Sequence, residues 1–198
     1  MFVRFYLLFL SGLLCQDILR ANLIIPDFEG FADSTILTSQ YPGLTFSNTI
    51  VLTAGISLNE FEFPPFSGTN VASDNGGPIS ISFDSPVLSF GGYFTYLTQL
   101  SLTAFDSGNN QVHQVFSLFN NNLACLAGPP CSGDPGSSPN EFLQVAFAAG
   151  ISSVSIAGDP AGGSFAMDAP VPEPSNLALV SIGFILAAAF LRHSLTRI

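Results

Sequence analysis

Short stretches in which apolar and polar residues alternate dominate the middle of the chain. In residues 79–83 the apolar side chains fall at every second position with serines between them, and residues 100–106 repeat the pattern. Because successive side chains of a strand point to opposite faces, this period of two predicts strands with one buried face. Residues 106–110 predict a turn into a further strand over residues 112–116. No convincing helix of more than two turns is indicated within residues 22–168.

The spacing of these strands indicates the fold class. Strands every 8–12 residues or so, separated by Gly, Pro, Asn and Asp, are typical of an antiparallel all-β sandwich or barrel. The chain has no Trp and no Cys pair that spans two distant strands, which disfavours an immunoglobulin-like sandwich. We therefore predict an all-β, jelly-roll-like antiparallel β-sandwich over residues 22–168. Its first strand is expected at residues 23–29 and its last at residues 163–168, with a turn at residues 84–86 and a bulge at residues 91–92.

Both ends of the chain are apolar. Arg4 and the apolar run over residues 6–15 have the layout of a secretory signal peptide, predicted over residues 1–21. An uncleaved membrane anchor is the alternative. Near the other end, residues 177–191 form an apolar run that as a helix is about 22 Å long. We predict a thin transmembrane helix there, and a buried core helix is the alternative. The basic tail, residues 192–198, is expected to stay on the cytoplasmic side.

A short motif precedes this apolar run: Val171, Pro172, Glu173, Pro174 and Ser175. Proline lacks a backbone N–H and resists helix formation, so the motif is expected to form an extended peptide just outside the bilayer. With this motif, the apolar run and the basic end, residues 169–198 resemble the PEP-CTERM sorting signal of Gram-negative bacteria. The resemblance implies recognition and cleavage by an exosortase, a membrane cysteine transpeptidase-like enzyme, and export with the extracellular polysaccharide.

The charge distribution restricts the partners. The formal net charge is −10, there is no Lys, and no Arg lies between Ala21 and Leu191, a range that holds all the acidic residues except Asp17. Nucleic-acid binding depends on Lys and Arg that displace counterions, so no nucleic-acid partner is expected. The carboxylates must be solvated, capped by backbone N–H groups or bound to a cation such as calcium.

A structural calcium is a possible cofactor. The sequences DFEGF and GGSFAMDAPVPEP give the body a resemblance to the jelly-roll domains of exported PEP-CTERM proteins and of carbohydrate-binding modules. That resemblance implies that the opening and closing strands pair and share a structural calcium. The candidate ligands are Asp27, Glu29 and Asp168, with Asp33 beside them and Asp74 and Asp159 in turns. In this chain Ala169 follows Asp168, where the usual pattern has a second aspartate.

Two other pairs of residues are candidates for a disulfide and for catalysis. Cys125 and Cys131 are predicted to form a loop-closing disulfide in an oxidising compartment, because C-x5-C lacks the two-residue spacing of redox or metal pairs. Glu60 and Glu62 share a strand face if their stretch is extended, and paired carboxylates can cleave glycosidic bonds. The alternative is a solvated strand edge with Phe61 and Phe63 pointing inward.

The remaining candidates are a histidine and the aromatic residues. His113 is predicted to lie on the polar face of a strand, since no nucleophile motif or second body histidine accompanies it. Tyr41, Tyr93, Tyr96 and the phenylalanines are candidates for a sugar-stacking platform, although most are expected in the core. Tyr93 and Tyr96 are opposite in strand phase, so at most one of them faces solvent.

These observations lead to one leading function and one alternative. The leading prediction is a non-enzymatic surface or extracellular-matrix protein of a biofilm, with no catalytic residues and with exosortase as its processing partner. It is expected first as an inner-membrane-anchored precursor and then at the cell surface or outside the cell, with exopolysaccharide as a possible partner. The alternative is a carbohydrate-binding module or a weak glycan hydrolase that uses Glu60 and Glu62.

Overall fold

The computed structural model describes residues 26–124 and 133–173, and these residues form strands and turns without any helix. The antiparallel all-β fold predicted from the alternating pattern is therefore confirmed. The predicted signal peptide and C-terminal helix lie outside the described residues. The strands are β1 (Ile36–Leu37), β2 (Leu44–Ser47), β3 (Thr49–Thr53), β4 (Asn70–Asp74), β5 (Ile79–Tyr96), β6 (Ser101–Phe105), β7 (Gln111–Phe116), β8 (Glu141–Ala157) and β9 (Phe165–Glu173).

Two long strands, β5 and β8, connect two halves of the sheet. The first part of β5 pairs with β2 and with the second part of β8, and the last part of β5 pairs with β9 and with the first part of β8. The register between β5 and β8 shifts between Ser82 and Ser89, where the strands pass from one half to the other. One half has the order β1-β3-β4-β9-β5-β8, and the other has β2-β5-β8-β6-β7.

A single buried core joins the two halves, as expected of a β-sandwich. Apolar side chains from both halves lie in one cluster and are almost wholly buried. In β8 the aliphatic residues Leu143 and Val145 point into this core while Phe142 and Gln144 are exposed, which is the alternation of a strand with one buried face. The core includes Phe46, Ile81, Leu102 and Val154 from one half and Ala72, Phe94, Val145 and Met167 from the other.

Some predicted elements differ from the observed ones. Residues 84–86, predicted as a turn, lie inside β5, because the register shift lets the strand bend without ending. The predicted first strand is wrong over residues 26–29, which form no strand, since Phe28 has a left-handed φ of 58° that turns the chain. The predicted turn at residues 106–110 is confirmed. The register between β5 and β9 does shift between Gly91 and Tyr93, but the extra residue lies in β9, between Asp168 and Val171, and not in the predicted bulge at residues 91–92. β9 begins at Phe165 and continues to Glu173, beyond the predicted end of the last strand.

Candidate functional site

Three aromatic rings form a cluster on the outer face of the sheet, here called the aromatic patch: the exposed Phe66 and Phe142 and the half-buried Tyr93. The rings of Phe66 and Tyr93 are stacked, with their centroids 3.5 Å apart and an interplanar angle of 6°. The Phe142 ring lies 5.2 Å from Tyr93 at an angle of 53°. Phe66 is 48% exposed and Phe142 is 47% exposed. Large aromatic side chains are ordinarily among the most buried, so two exposed rings that contact a third, half-buried ring are a candidate binding surface.

The sheet register places two of these rings side by side. Tyr93 of β5 lies directly opposite Phe142 of β8 and opposite Asp168 of β9, so the three side chains share one face. The close approach of Phe142 requires a glycine on β5. A methyl group on Gly91 would lie 2.9 Å from Cζ of Phe142 and 2.9 Å from the backbone oxygen of Leu143. Gly91 therefore leaves room for the Phe142 ring beside Tyr93.

The third ring, Phe66, comes from a loop that two carboxylates hold in place. The Asp168 carboxylate accepts the backbone N–H of Ser67 at 2.7 Å. The Glu29 carboxylate accepts the backbone N–H groups of Thr69 at 2.9 Å and of Asn70 at 2.8 Å. Gly68 has a φ of +59° in this loop, and a methyl group there would lie 2.3 Å from Oε1 of Glu29. Carboxylates from both ends of the described fold thus hold the loop that carries Phe66.

The segment before this loop is anchored to the outer face of the sheet as well. Leu58 packs with Val71 and Ala166 in a second, smaller apolar cluster, against which Phe63 is partly buried. The side-chain amide of Asn140 donates to the backbone oxygen of Pro64 at 3.2 Å. Phe66 is therefore presented by a packed segment that is fixed at several points.

The carboxylates that hold the loop have shifted pKa values. Burial raises the pKa of Asp168 above its ordinary value, against hydrogen bonds from Ser67 and Ala169 that lower it. For Glu29 burial also raises the pKa, but the hydrogen bonds from Asn70 and Thr69 outweigh it and the net pKa is lowered. Asp168 is therefore a buried group whose charge is costly, whereas Glu29 is held in its charged form by its partners.

Three of the carboxylates predicted near the calcium site accept hydrogen bonds from the protein, and the fourth, Asp27, is exposed. Asp27 is exposed, and Glu29 and Asp168 accept the N–H groups of the loop that carries Phe66. Asp33 accepts the N–H of Thr53 at 2.8 Å and the hydroxyl of Ser57. Within residues 26–124 and 133–173 no three His, Cys, Asp or Glu side chains come together as a metal site. The calcium stays a prediction, which the melting temperature with calcium and with a chelator can test.

Of the two carboxylates predicted in turns, Asp159 begins a turn, whereas Asp74 is the buried last residue of β4. Asp74 is buried and accepts the backbone N–H groups of Ser164 at 2.8 Å and of Phe165 at 3.1 Å, together with the Ser164 hydroxyl at 2.8 Å. Asp159 accepts the N–H of Ala161 at 2.9 Å. Asp74 therefore fixes the start of β9.

The premise of a carboxylate pair on a strand is wrong. Glu60 and Glu62 lie in turns, because the N–H groups of Glu62 and Phe63 bond to the backbone oxygen of Asn59. Glu60 accepts the N–H of Gly55 at 3.0 Å, whereas Glu62 accepts the side-chain amide of Asn59 at 2.9 Å. The alternative placement of Phe61 is also wrong, since this side chain is 53% exposed.

His113 is exposed on β7, as its position in the pattern predicts. Its Nδ1 accepts the N–H of Ala146 at 3.0 Å. This bond ties β7 to β8, which gives the ring a structural role.

Of the three tyrosines predicted as a platform, only Tyr93 is in the aromatic patch. Tyr96 is buried and donates its hydroxyl to Glu141, and burial with this contact raises its pKa to about 12. Tyr41 is partly buried against the core and accepts the N–H of Phe28 at 3.1 Å. The prediction that at most one of Tyr93 and Tyr96 faces solvent agrees with these positions.

Neither Phe66 nor Phe142 was predicted individually among the phenylalanines as a site residue. Phe142 carries a signal, because it is out of phase with the inward residues Leu143 and Val145 and therefore must point outward. Phe66 follows Pro64 and Pro65 in a stretch without periodicity. Its stacking depends on contacts with residues far away in sequence, so no local pattern identifies it.

The sorting motif and the cysteines are covered only in part. The backbone of Val171, Pro172 and Glu173 forms the end of β9. Pro174, Ser175, Cys125 and Cys131 lie outside the described residues.

Comparison with known proteins gives distant structural likenesses. No family model and no curated protein matches the chain. The chain is similar to a DUF4465 family protein from Bacteroides caccae, with 10% identity, a TM-score of 0.45, and coverage of 80% of this chain and 96% of the other. It is also similar to CBM35 from Paenibacillus barcinonensis, with 15% identity, a TM-score of 0.34, and coverage of 66% and 91%. TmCBM61 in complex with β-1,4-galactotriose has 11% identity, a TM-score of 0.35, and coverage of 71% and 97%. Values this low leave the assignment of function to the geometry of the chain itself.

Proposed function

We propose that this chain is an exported, non-enzymatic glycan-binding protein that holds its ligand on the aromatic patch. The observation that carries this proposal is the cluster of the exposed Phe66 and Phe142 rings around the half-buried Tyr93 ring. Two of the rings stand on neighbouring strands, and the third is held by Asp168 and Glu29 through its loop. The site is thus preformed, and a preformed site loses little conformational entropy when it binds.

The chemistry of the rings favours a sugar. A pyranose presents an apolar face of C–H groups with hydroxyl groups around its rim, so an exposed aromatic ring can cover the face while water or polar side chains satisfy the rim. Tyr93 adds a phenolic hydroxyl to such a surface. Gln144, two residues from Phe142 on the same face of β8, is exposed and offers an amide donor and acceptor.

The charge of the chain favours a neutral glycan. No Lys or Arg lies between Ala21 and Leu191, and His113 is the one basic side chain in that range. A uronate or sulfated polysaccharide would meet a negative body without a cation to pair with its acid groups. A neutral polysaccharide meets no such repulsion.

A panel of immobilised polysaccharides tests this function. The full chain in detergent is expected to bind neutral glycans, and it is expected to bind uronate-containing and sulfated glycans at least tenfold more weakly. Retention on neutral glycans that the Tyr93→Ala variant matches would refute the aromatic patch as the site. Retention on acidic glycans alone would refute the neutral ligand.

We further propose that the chain is sorted as a PEP-CTERM protein. The support is in the sequence, where a signal-peptide layout at residues 1–21 and the motif, apolar run and basic tail of residues 169–198 occur together. Exosortase is then the processing partner, and the protein passes from an inner-membrane-anchored precursor to the exopolysaccharide of the biofilm. Mass spectrometry of both termini, on protein from cells and from medium, tests this. A start near Asn22 and loss of the basic tail are expected, and an intact C-terminus in the medium would contradict the proposal.

A further inference from the structure

The last strand of the fold overlaps the predicted sorting motif. β9 continues past Asp168, and its register aligns residues 171–173 with residues 91–89 of β5. On its other side the same part of β5 pairs with β8, where Ser89 is opposite Ala146 and Gly91 is opposite Gln144. The first three residues of the motif therefore pair with β5, which is paired on its other side with β8.

This strand end covers an edge of β5 close to the aromatic patch. The pairing of β4 with β9 involves Ala166 and Met167, before the motif begins. Residues 171–173 thus pair with β5 beyond the part of β9 that pairs with β4. Without these residues the part of β5 from Ser89 to Gly91 would lose this neighbouring strand, which costs stability and leaves an open edge.

We infer that residues 171–173 belong to the folded domain, and that processing which preserves the fold cuts the chain after Glu173. Proteases generally bind their substrates as extended strands that pair with the enzyme. A peptide bond before Glu173 becomes available only when the end of β9 separates from β5. In the cut itself the acyl carbon of the peptide bond passes to water and the released nitrogen takes a proton. This inference deepens the sorting proposal and rests on it only for the identity of the enzyme.

Limited digestion of the full chain in detergent micelles tests the boundary. With a protease of broad specificity, the trimmed product read by intact mass spectrometry is expected to end at Glu173 or later and to melt at the temperature of the intact chain. A synthetic peptide of residues 165–178 serves as the unpaired control, and its bonds between Ala169 and Glu173 are expected to be cut at least tenfold faster than in the folded chain. Equal rates, or a trimmed product that ends before Val171 and melts unchanged, would overturn the inference.

The two proposals about the C-terminus fail separately. A chain that keeps its whole tail in the host refutes the sorting proposal, while digestion in micelles still shows where the folded domain ends. A trimmed product that ends before Val171 and melts unchanged refutes the proposed end of the folded domain, while the termini recovered from the host still show whether the chain is sorted.

Discussion

The substitution Asp168→Asn tests how the loop that carries Phe66 is held. Both carboxylate oxygens accept backbone N–H groups: Oδ2 accepts from Ser67 at 2.7 Å, and Oδ1 accepts from Ala169 at 2.6 Å. An asparagine has the same size but only one acceptor oxygen. In the variant, one of the two N–H groups therefore faces the amide NH₂ instead of an acceptor.

The size of the effect follows from burial. Asp168 is 1% exposed, and a buried donor without a partner costs about 1–3 kcal/mol. Because burial opposes ionisation of Asp168, removing the charge stabilises the fold and offsets part of that loss. We expect a net loss of about 1–2 kcal/mol in the free energy of unfolding at pH 7.

The pH dependence of the free energy of unfolding provides a second test of the role of Asp168. Because burial raises the pKa of Asp168, the folded chain binds this proton more tightly than the unfolded chain does. The contribution of Asp168 to stability is therefore fully present below the unfolded pKa and is lost as pH rises through the raised folded pKa. The variant does not titrate there, so the stability difference between wild type and variant is expected to grow as pH is lowered from neutral.

Urea unfolding followed by tyrosine fluorescence measures both effects, and the stacked Phe66 and Tyr93 provide a near-ultraviolet dichroism signal. Asp84→Asn is the matched control, since Asp84 is an exposed carboxylate on β5. If Asp168→Asn is as stable as this control and keeps its dichroism, the carboxylate does not hold the loop and the account of Phe66 is refuted.

Three other predictions concern the same framework. Glu29→Ala is expected to lower glycan affinity and stability, whereas Glu29→Gln, which keeps Oε1, is expected to be close to wild type. Because the pKa of Glu29 is lowered in the fold, its contribution to stability is lost as the pH falls through the folded pKa. Equal glycan binding by both variants would contradict its role in holding the loop. Asp74→Ala leaves two buried backbone N–H groups without an acceptor, so it is expected to lower the free energy of unfolding in urea by about 2–4 kcal/mol. Asp74→Asn keeps an acceptor oxygen and is expected to lower it much less. Similar losses in the two variants would contradict the hydrogen bonds at the start of β9. Gly91→Ala is expected to displace the Phe142 ring and to weaken glycan binding severalfold by affinity electrophoresis, and unchanged binding with unchanged stability would show that Phe142 does not contact the ligand.

The strands were predictable where burial imposes a period of two. In β8 the inward Leu143 and Val145 fix the phase, and the same phase identifies Phe142 as an outward aromatic. The bend in β5 was not predictable, because residues 84–86 have the composition of a turn while the pairing with β2 and β8 keeps the strand continuous. Local composition does not distinguish a turn from a shift of register.

The site was predictable only in part, because its contacts are distant in sequence. Strand phase allows only one of Tyr93 and Tyr96 to face solvent and does not say which. The position of Phe66 depends on the bond between Ser67 and Asp168, which are 101 residues apart. Glu29 and Asp168 were predicted, with Asp27, as ligands of a structural calcium shared by the first and last strands. The structure brings Glu29 and Asp168 to one loop, where each accepts backbone N–H groups.

The central claim is that the exposed rings bind a neutral glycan, and affinity electrophoresis of the full chain in detergent through gels containing that glycan tests it most directly. Phe66→Ala and Tyr93→Ala each remove one of two stacked rings, and we expect each to weaken the affinity at least fivefold, about 1 kcal/mol. Phe116→Ala is the control, because Phe116 is a phenylalanine on β7 that is 59% exposed and lies outside the aromatic patch. Retardation that persists in both patch variants, or that is lost to the same degree in the Phe116→Ala variant, would contradict the account.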